Sequence, residues 1–198
     1  MTWGDGGGWW VGVGGLVSGS CEMVFLIRNF FLFLQRKQEK KDMDKELVIK
    51  YQEFDMAMLP SDGDRELMRR AVEAADGAYA PYSHFHVGAA LRLGDGTVVC
   101  GNNQENAAYP SGLCAERTAV FAASAQRPDV QVYEALAIVG RDEAGRLCEA
   151  SPCGACRQVL MEYEQRQGCP MRVLCYLGEE RVRVFPSVAS LLPFSFDF

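Results

Sequence analysis

Residues 133–177 read "YEALAIVGRDEAGRLCEASPCGACRQVLMEYEQRQGCPMRVLCYL", and this stretch decides the fold. Residues 133–140 form an almost wholly apolar run of strand length, which predicts a buried strand. Residues 154–165 predict a helix, and residues 171–177 are apolar again, with the composition of a strand. The stretch therefore predicts a strand, a helix and a second strand in one layered α/β core.

The segments on either side extend this unit. Residues 61–79 predict a helix, with Ser61 or Asp62 as its N-cap and Gly77 near its end. The other predicted elements are two hairpin strands around the turn "GDG" (85–93 and 97–103), a helix over 113–126, a strand over 181–185 and a short helix over 187–193. The order α-β-β-α-β-α-β-β-α predicts an α/β fold, a three-layer α-β-α sandwich around a five-stranded mixed sheet.

The first 42 residues differ from the rest. Residues 1–20 hold eight of the 20 glycines and all three tryptophans, and Arg28 and Asn29 interrupt the apolar run over 23–34. This interruption argues against a signal peptide or a membrane-spanning helix, although both, and a peripheral apolar helix, stay open. The favoured interpretation is a poorly ordered extension or an over-called translation start, with the compact domain occupying residues 43–198 from Met43 onward.

Charge and cysteine content limit the class of protein. The 198 residues carry a net charge of −6, and residues 43–198 alone carry 15 basic and 22 acidic residues. An acidic domain of this kind argues against nucleic acid as a partner. Eight cysteines in a chain of this length are too sparse for a secreted disulfide scaffold. We therefore expect a reducing, cytoplasmic location, with some of the cysteines binding a metal.

Three of the cysteines begin helices. Cys114 starts the helix in "SGLCAERTA", and Cys153 and Cys156 form a Cys-x-x-Cys at the start of the next helix. Three thiolates meeting at one edge of the sheet would hold Zn²⁺ with its fourth position open, as in catalytic zinc sites. Arg117 and Arg157 each follow a cysteine closely and would offset the negative charge of the thiolates. A redox pair or half of a structural zinc site is the alternative for an isolated Cys-x-x-Cys.

Glu116 lies two residues after Cys114. From there its carboxylate can reach a water on the metal without binding the metal itself, and can move a proton to a substrate nitrogen. A metal-binding residue, a Glu two positions on and a downstream Pro-Cys-x-x-Cys is the arrangement of zinc deaminases. The alternative for a single glutamate on a helix is a solvated surface charge.

The segments "YAPYSHFHVGAAL", "NNQENAAYPSGLCAERTA" and "SPCGACRQVL" together resemble the small homotetrameric cytidine deaminases, from about residue 64 to the C-terminus. The resemblance implies hydrolysis of cytidine and 2′-deoxycytidine to uridine and 2′-deoxyuridine with release of ammonia, in pyrimidine salvage. It implies one Zn²⁺ per chain on Cys114, Cys153 and Cys156, attack of hydroxide on C4 of the base, and proton transfer by Glu116.

The same resemblance assigns the substrate contacts. It implies that Asn103 and Glu105 bind the ribose hydroxyls, that Phe85 lines the base pocket and that the backbone of Ala115 meets the pyrimidine edge. Tyr109 and Phe196 would reach the site of a neighbouring subunit, so a homotetramer would complete each site. Which of the C-terminal residues Phe194, Phe196 and Phe198 stacks on the base stays open.

Other functions stay possible at this point. They are a deaminase for a related pyrimidine nucleoside or an aminonucleoside antibiotic, and a non-catalytic, zinc-stabilised binding module. A polynucleotide deaminase fits less well, because the domain is acidic and lacks a groove lined with arginine, lysine and aromatic residues.

Overall fold

The computed structural model describes residues 45–196 together with Arg28 and Phe30. The contacts of the backbone divide the chain into two units, Met1–Leu47 and Val48–Phe198, and the second holds all the elements below. Apart from Arg28 and Phe30, the predicted extension over 1–42 and its boundary lie outside the described residues. Within the described part of the chain, no helix combines the length and apolar character needed to cross a bilayer.

Strands and helices alternate along the second unit. The helices of residues 48–196 are α1 (Asp62–Ala75), α2 (Ala115–Gln126) and α3 (Gly154–Gln167), with 3₁₀ turns at Met56–Met58, Tyr109–Ser111 and Val188–Ser190. The strands are β1 (Gln52–Asp55), β2 (His86–Leu93), β3 (Val98–Asn102), β4 (Tyr133–Arg141), β5 (Leu147–Cys148), β6 (Arg172–Gly178) and β7 (Arg181–Phe185). Each predicted helix and strand has a counterpart here, although the terminal one is a single 3₁₀ turn.

The strands form one mixed sheet in the order β1-β7-β6-β4-β2-β3, with β5 paired to β4. Only β4 and β6 run parallel, as expected for strands joined through a helix, and the other pairs are antiparallel. The sheet thus has seven strands where five were predicted. The two additional strands, β1 and β5, are four and two residues long, too short to show a periodic pattern in the sequence.

Alternate residues of the central strand β4 separate the two halves of the core. Leu136 and Ile138 lie in the cluster that includes α2 and α3, whereas Ala135, Ala137 and Val139 lie in the cluster that includes α1. This is the two-residue period of a strand buried on both faces. One helix therefore covers one face and two helices cover the other, and the predicted three-layer α-β-α sandwich is confirmed.

Local sequence explains where α1 begins. Ser61 is its N-cap, and the Ser61 hydroxyl accepts a hydrogen bond of 3.0 Å from the backbone N–H of Asp64. Asp62 and Asp64 place negative charge in the first turn, where the helix dipole favours it. Of the two N-caps considered from the sequence, the structure selects Ser61.

A glycine lets α2 lie directly on the sheet. A Cβ atom on Gly101 of β3 would lie 2.4 Å from the backbone nitrogen of Ala119 and 2.6 Å from the carbonyl oxygen of Ala115. Any larger residue would therefore force the helix and the strand apart. The first turn of α2 is fixed against β3 by this contact, which matters because that turn carries the candidate site.

Candidate active site

Three cysteine sulfurs converge where α2 and α3 begin. Cys114 is the N-cap of α2, Cys153 is the N-cap of α3, and Cys156 lies in the first turn of α3. Their Sγ atoms all lie within 4.8 Å of one another, and those of Cys114 and Cys153 are 3.9 Å apart. Among the described residues, this is the one cluster of three or more potential metal ligands.

The geometry of the three sulfurs fits a zinc ion. Two sulfurs bound to the same tetrahedral zinc at about 2.3 Å lie about 3.8 Å apart, close to the distance between Cys114 and Cys153. A disulfide needs an S–S distance of about 2.05 Å, and all three cysteines are free thiols. A third sulfur, from Cys114, lies beside the Cys-x-x-Cys pair, which a three-sulfur metal site requires and a two-cysteine redox pair does not.

Arg117 neutralises charge at this cluster. Its Nη2 donates a hydrogen bond of 3.5 Å to Sγ of Cys114 from the same first turn of α2. Hydrogen bonds from Cys156 and Arg117 lower the pKa of the Cys114 thiol well below its ordinary value, which favours the thiolate. The neighbouring Cys114 thiolate and burial raise the pKa of Cys156. The predicted proximity of Arg117 to the thiolates is present in the structure.

Arg157, which follows Cys156 directly, forms its hydrogen bonds with the backbone. Its Nε donates to the carbonyl oxygen of Pro152 at 2.8 Å, and its Nη1 donates to the carbonyl oxygen of Leu191 at 3.2 Å. The guanidinium thus joins the backbone just before Cys153 to the C-terminal segment of the chain. Its hydrogen bonds go to carbonyl oxygens rather than to a sulfur.

Glu116 is the buried carboxyl next to the cluster. It is 3% exposed in the first turn of α2, one residue after Ala115, whose surface is fully covered. Burial raises the pKa of Glu116 to about 7, and the negative charge of Cys114 also raises it. A carboxyl with this pKa can both accept and release a proton near neutral pH, which general acid–base catalysis requires. The alternative of a solvated surface charge is excluded by its burial.

A cavity of about 420 Å³ opens beside Cys114. It is lined by two groups of side chains, one at the metal site and one near the end of β3. The lining residues are Tyr82, Ser83, Asn103, Gln104, Glu105, Asn106, Tyr109, Gly112, Leu113, Cys114 and Arg117. Five predicted site residues, Asn103, Glu105, Tyr109, Cys114 and Arg117, therefore share one cavity.

Backbone pairing positions the polar end of this cavity. Gln104 exchanges two backbone hydrogen bonds with Leu113, at 2.8 and 2.9 Å. On its other side, the backbone of Tyr79 accepts from Glu105 at 2.8 Å and donates to Asn103 at 3.0 Å. Because Leu113 directly precedes Cys114, these bonds hold Asn103 and Glu105 at a fixed distance from the metal site.

The side chains of Asn103 and Glu105 are held by the start of β2 and the loop before it. Asn103 Oδ1 accepts from the N–H of Val87 at 2.7 Å, and its Nδ2 donates to the carbonyl of Phe85 at 2.9 Å. Glu105 accepts from the Ser83 hydroxyl at 2.5 Å and from the backbone N–H groups of Tyr82 and Ser83. The hydrogen bond from Ser83, with the two from the backbone, holds the pKa of Glu105 below its ordinary value.

The three aromatic residues predicted to contact the substrate lie at different positions relative to the cavity. Tyr109 is 78% exposed at the rim of the cavity, where its ring meets that of Tyr82 edge to face at 6.4 Å. Phe85 lies outside the cavity lining, and the tip of its ring packs over Gly140 of β4. Phe196 is 63% exposed in the C-terminal segment. A single chain therefore brings Tyr109, but neither Phe85 nor Phe196, to the cavity.

Sequence reasoning missed Tyr82 and Ser83. Both residues lie in "YAPYSHFHVG", three and two positions before Phe85, and line the cavity beside Glu105. A serine and a tyrosine in a turn carry no signal of their own, because turns commonly contain such residues. The signal that could have identified them is Glu105, because a carboxylate that is held in place needs hydrogen-bond donors nearby, and the turn before β2 offers them.

A family model described as the cytidine and deoxycytidylate deaminase zinc-binding region matches residues 61–169. The chain belongs to this family. The match includes all three cysteines of the cluster, Glu116 and the residues around Asn103 and Glu105. It confirms the family predicted from the three sequence segments, together with zinc as the metal of the family.

Individual deaminases match over almost their whole length. A cytidine deaminase from Halalkalibacterium halodurans is 43% identical over 136 residues, which cover 67% of this chain and 94% of the relative. One from Sporosarcina psychrophila is 42% identical over 133 residues, covering 67% and 90%. The crystal structure of cytidine deaminase from Burkholderia pseudomallei has a TM-score of 0.56 at 42% identity, covering 66% of this chain and 97% of that one.

Proposed function

We propose that this protein is a zinc-dependent enzyme that hydrolyses cytidine and 2′-deoxycytidine to uridine and 2′-deoxyuridine, with release of ammonia. One observation carries the proposal. Three cysteine sulfurs within 4.8 Å of one another lie beside the buried carboxyl of Glu116, and Cys114 borders a cavity that also contains Asn103 and Glu105. Membership of the deaminase family and the similarity to cytidine deaminases support the same substrate.

Cys114, Cys153 and Cys156 hold the metal in this proposal. Bound Zn²⁺ supplies an activated water for hydrolysis, because it lowers the pKa of water that it binds. Three thiolates carry more negative charge than the ion can balance. The positive charge of Arg117, at 3.5 Å from Cys114, and the N-termini of α2 and α3 offset that excess.

Glu116 moves the protons. It accepts a proton from water and delivers it to N3 of the base, then accepts the proton of the hydroxyl added at C4 and delivers that one to the amino group that leaves as ammonia. The pKa of about 7 that burial gives this carboxyl matches a group that must be both acid and base in one reaction. Its position on the first turn of α2, which packs against Gly101, keeps the carboxyl beside the sulfur cluster.

Asn103 and Glu105 bind the ribose. The carboxylate of Glu105 has about four acceptor positions, of which Tyr82 and Ser83 occupy three. The amide of Asn103 likewise keeps one N–H and one lone pair after its bonds to Phe85 and Val87. The groups that remain can bond neighbouring sugar hydroxyls. A free base would leave them unpaired, so we expect a preference for nucleosides.

Neighbouring subunits complete the site in this proposal. The backbone of Ala115 meets the pyrimidine edge, and Phe85, whose ring tip packs over Gly140 outside the cavity of a single chain, borders the base pocket once the subunits assemble. Tyr109 and Phe196, both strongly exposed in a single chain, stack against the substrate of an adjacent subunit in a homotetramer. We propose that the enzyme acts in the cytoplasm, where its thiols stay reduced.

The test is an absorbance assay with a metal analysis. We expect one zinc per chain, a fall in the ultraviolet absorbance of cytidine, and much slower change with free cytosine. A chelator should abolish the activity, and added zinc should restore it. If the protein holds one zinc per chain and leaves cytidine and 2′-deoxycytidine unchanged, the proposal fails, and either a related nucleoside substrate or a non-catalytic binding module takes its place.

A further inference from the structure

The C-terminal segment, residues 186–196, is held to α3 by two charged side chains. This segment follows β7, makes a 3₁₀ turn at Val188–Ser190 and leads to Phe196. The two side chains are those of Glu164 and Arg157, which lie seven residues apart on α3 and therefore on the same face of that helix. We call these two residues and their contacts the tail clamp.

Glu164 is a buried carboxylate with four hydrogen-bond donors. Its Oε2 accepts from the backbone N–H of Met171 and from that of Val188, each at 2.8 Å. Its Oε1 accepts from the Ser187 hydroxyl at 2.6 Å and from the N–H of Ala189 at 3.2 Å. Three of these four donors belong to the first turn of the C-terminal segment. The Glu164 carboxylate thus binds the free N–H groups at the start of the 3₁₀ turn, although Glu164 itself lies on another helix.

The donor pattern requires a carboxylate. All four groups donate, and an ionised carboxyl offers only acceptors. A glutamine has the same shape, but one of its two terminal atoms is an NH₂ group. Whichever way that amide turns, its NH₂ faces two donors, and buried donors without partners are unfavourable. Glu164→Gln is therefore a small change in volume and a large change in hydrogen bonding.

Arg157 holds the other end of the turn. Its Nη1 donates to the carbonyl of Leu191, just after the 3₁₀ turn, while its Nε donates to the carbonyl of Pro152. Pro152 directly precedes the metal-site residue Cys153. One guanidinium therefore fixes the C-terminal segment to the loop that carries a candidate zinc ligand.

From these contacts we infer that Glu164 and Arg157 are positioning residues for substrate binding. Together they hold the C-terminal segment so that Phe196 can reach the base in the active site it serves. The inference rests on the proposed function, because it needs a substrate on which Phe196 stacks. Neither residue touches the substrate. They restrict the conformations of the C-terminal segment, so that less conformational entropy is lost when Phe196 stacks on the base.

The test compares Glu164→Gln with Glu162→Gln. Glu162 is an exposed residue on the same helix and gives a control with the same chemical change. In Glu164→Gln we expect the amides of Val188 and Ala189 to exchange hydrogen at least about tenfold faster. We expect KM for cytidine to rise about tenfold, equivalent to about 1.4 kcal/mol, with unchanged zinc content. The kcat should change by less than about twofold.

A second pair of variants covers the case in which Glu164→Gln does not fold. Arg157→Lys keeps the charge but cannot span the carbonyls of Pro152 and Leu191 as a guanidinium does. Arg166→Lys, at an exposed position near the end of the same helix, is its control. Arg157→Lys should raise KM for cytidine in the same way, and Arg166→Lys should not.

The outcomes separate the two proposals. An active wild-type enzyme whose clamp variants keep the wild-type KM overturns the inference and leaves the proposed function intact. Unchanged amide exchange at Val188 and Ala189 in Glu164→Gln also overturns it, because the clamp would then not hold the segment. A wild-type protein that holds zinc and fails to deaminate cytidine overturns the proposed function, and with it the role of the clamp in substrate binding.

Discussion

The Sγ atoms of Cys114 and Cys153 lie 3.9 Å apart, although 39 residues separate the two cysteines in the chain. Each is the N-cap of a helix, and both helices lie on the same face of the sheet. The fold therefore brings together two helix N-termini, each of which favours negative charge. The architecture therefore favours a thiolate at Cys114 even before a metal binds.

Arg117 should matter for both zinc retention and rate. Arg117→Gln removes the positive charge that donates to Cys114 at 3.5 Å. We expect zinc to be lost to a chelator faster and the rate of cytidine deamination to fall, each by about 10–100-fold. Zinc release to a chromogenic chelator and initial rates measure the two effects. Arg166→Gln, an exposed change on α3, is the control, and equal behaviour of the two variants would contradict the role of Arg117.

Gly101 should control the position of the metal-site helix. In Gly101→Ala the new Cβ atom would lie 2.4 Å from the nitrogen of Ala119, so α2 must move away from β3. We expect the free energy of unfolding to fall by about 1–3 kcal/mol or more, and zinc affinity to fall with it, because α2 begins at Cys114. Urea unfolding and a zinc titration measure these quantities.

Gly88 offers the comparison for Gly101. A Cβ atom there would lie 2.0 Å from the carbonyl oxygen of Ala71 in α1, a helix that carries none of the proposed site residues. Gly88→Ala should therefore lower stability while changing zinc affinity less than Gly101→Ala does. Wild-type zinc affinity in folded Gly101→Ala would show that the contact with β3 does not position the site.

Asp64 should make stability depend on pH. Its side chain is 3% exposed and pairs with Arg172 at 2.6 Å and Arg92 at 3.1 Å. Burial opposes the charge of Asp64, but the hydrogen bonds and charges of Arg172 and Arg92 outweigh it and hold the pKa below its ordinary value. We expect Asp64→Asn to lower the free energy of unfolding by about 3 kcal/mol at pH 7, because two arginines lose their buried partner.

The sign of the pH effect follows from the lowered pKa. A carboxyl whose pKa is lower in the folded state stabilises the fold above its unfolded pKa of about 3.9, and this contribution is lost as the pH falls through the folded value. The difference between wild type and Asp64→Asn should therefore be constant from pH 7 to 5 and shrink below about pH 4. Urea unfolding at several pH values measures it.

Asp62 provides the control for Asp64. It lies in the same helical turn, but its side chain is 96% exposed and pairs only with Arg65 among the ion pairs of the described residues. Asp62→Asn should lower stability by less than about 1 kcal/mol, because solvent screens such pairs. Equal losses for the two variants, or a difference between wild type and Asp64→Asn that persists unchanged to pH 2, would contradict the role given to the buried carboxylate.

The metal site and the sandwich could be predicted from sequence because their signals are local. Cys114, Glu116 and the Cys-x-x-Cys lie within two short segments, and the helices around them have clear starts. The core strand β4 is an apolar run that reads directly as a buried strand. Strand β5 could not be found in this way, since two residues have no period and depend entirely on their partner strand.

The tail clamp shows what sequence patterns miss. Glu164 and Glu162 look alike in "LMEYEQ", yet one is buried and the other exposed. The donors to Glu164 lie 7 to 25 residues further along the chain, so only the tertiary fold reveals them. The same reason explains the contact of Arg157 with Leu191, which spans 34 residues.

Glu116→Gln tests the central claim most directly. The variant keeps the size of the side chain and the three cysteines, but its amide cannot carry protons. We expect one zinc per chain, as in wild type, and a rate of cytidine deamination lower by at least about 10²–10⁴-fold, because proton transfer by one positioned group contributes that much. A Glu116→Gln enzyme that binds zinc and deaminates cytidine at the wild-type rate would contradict the account.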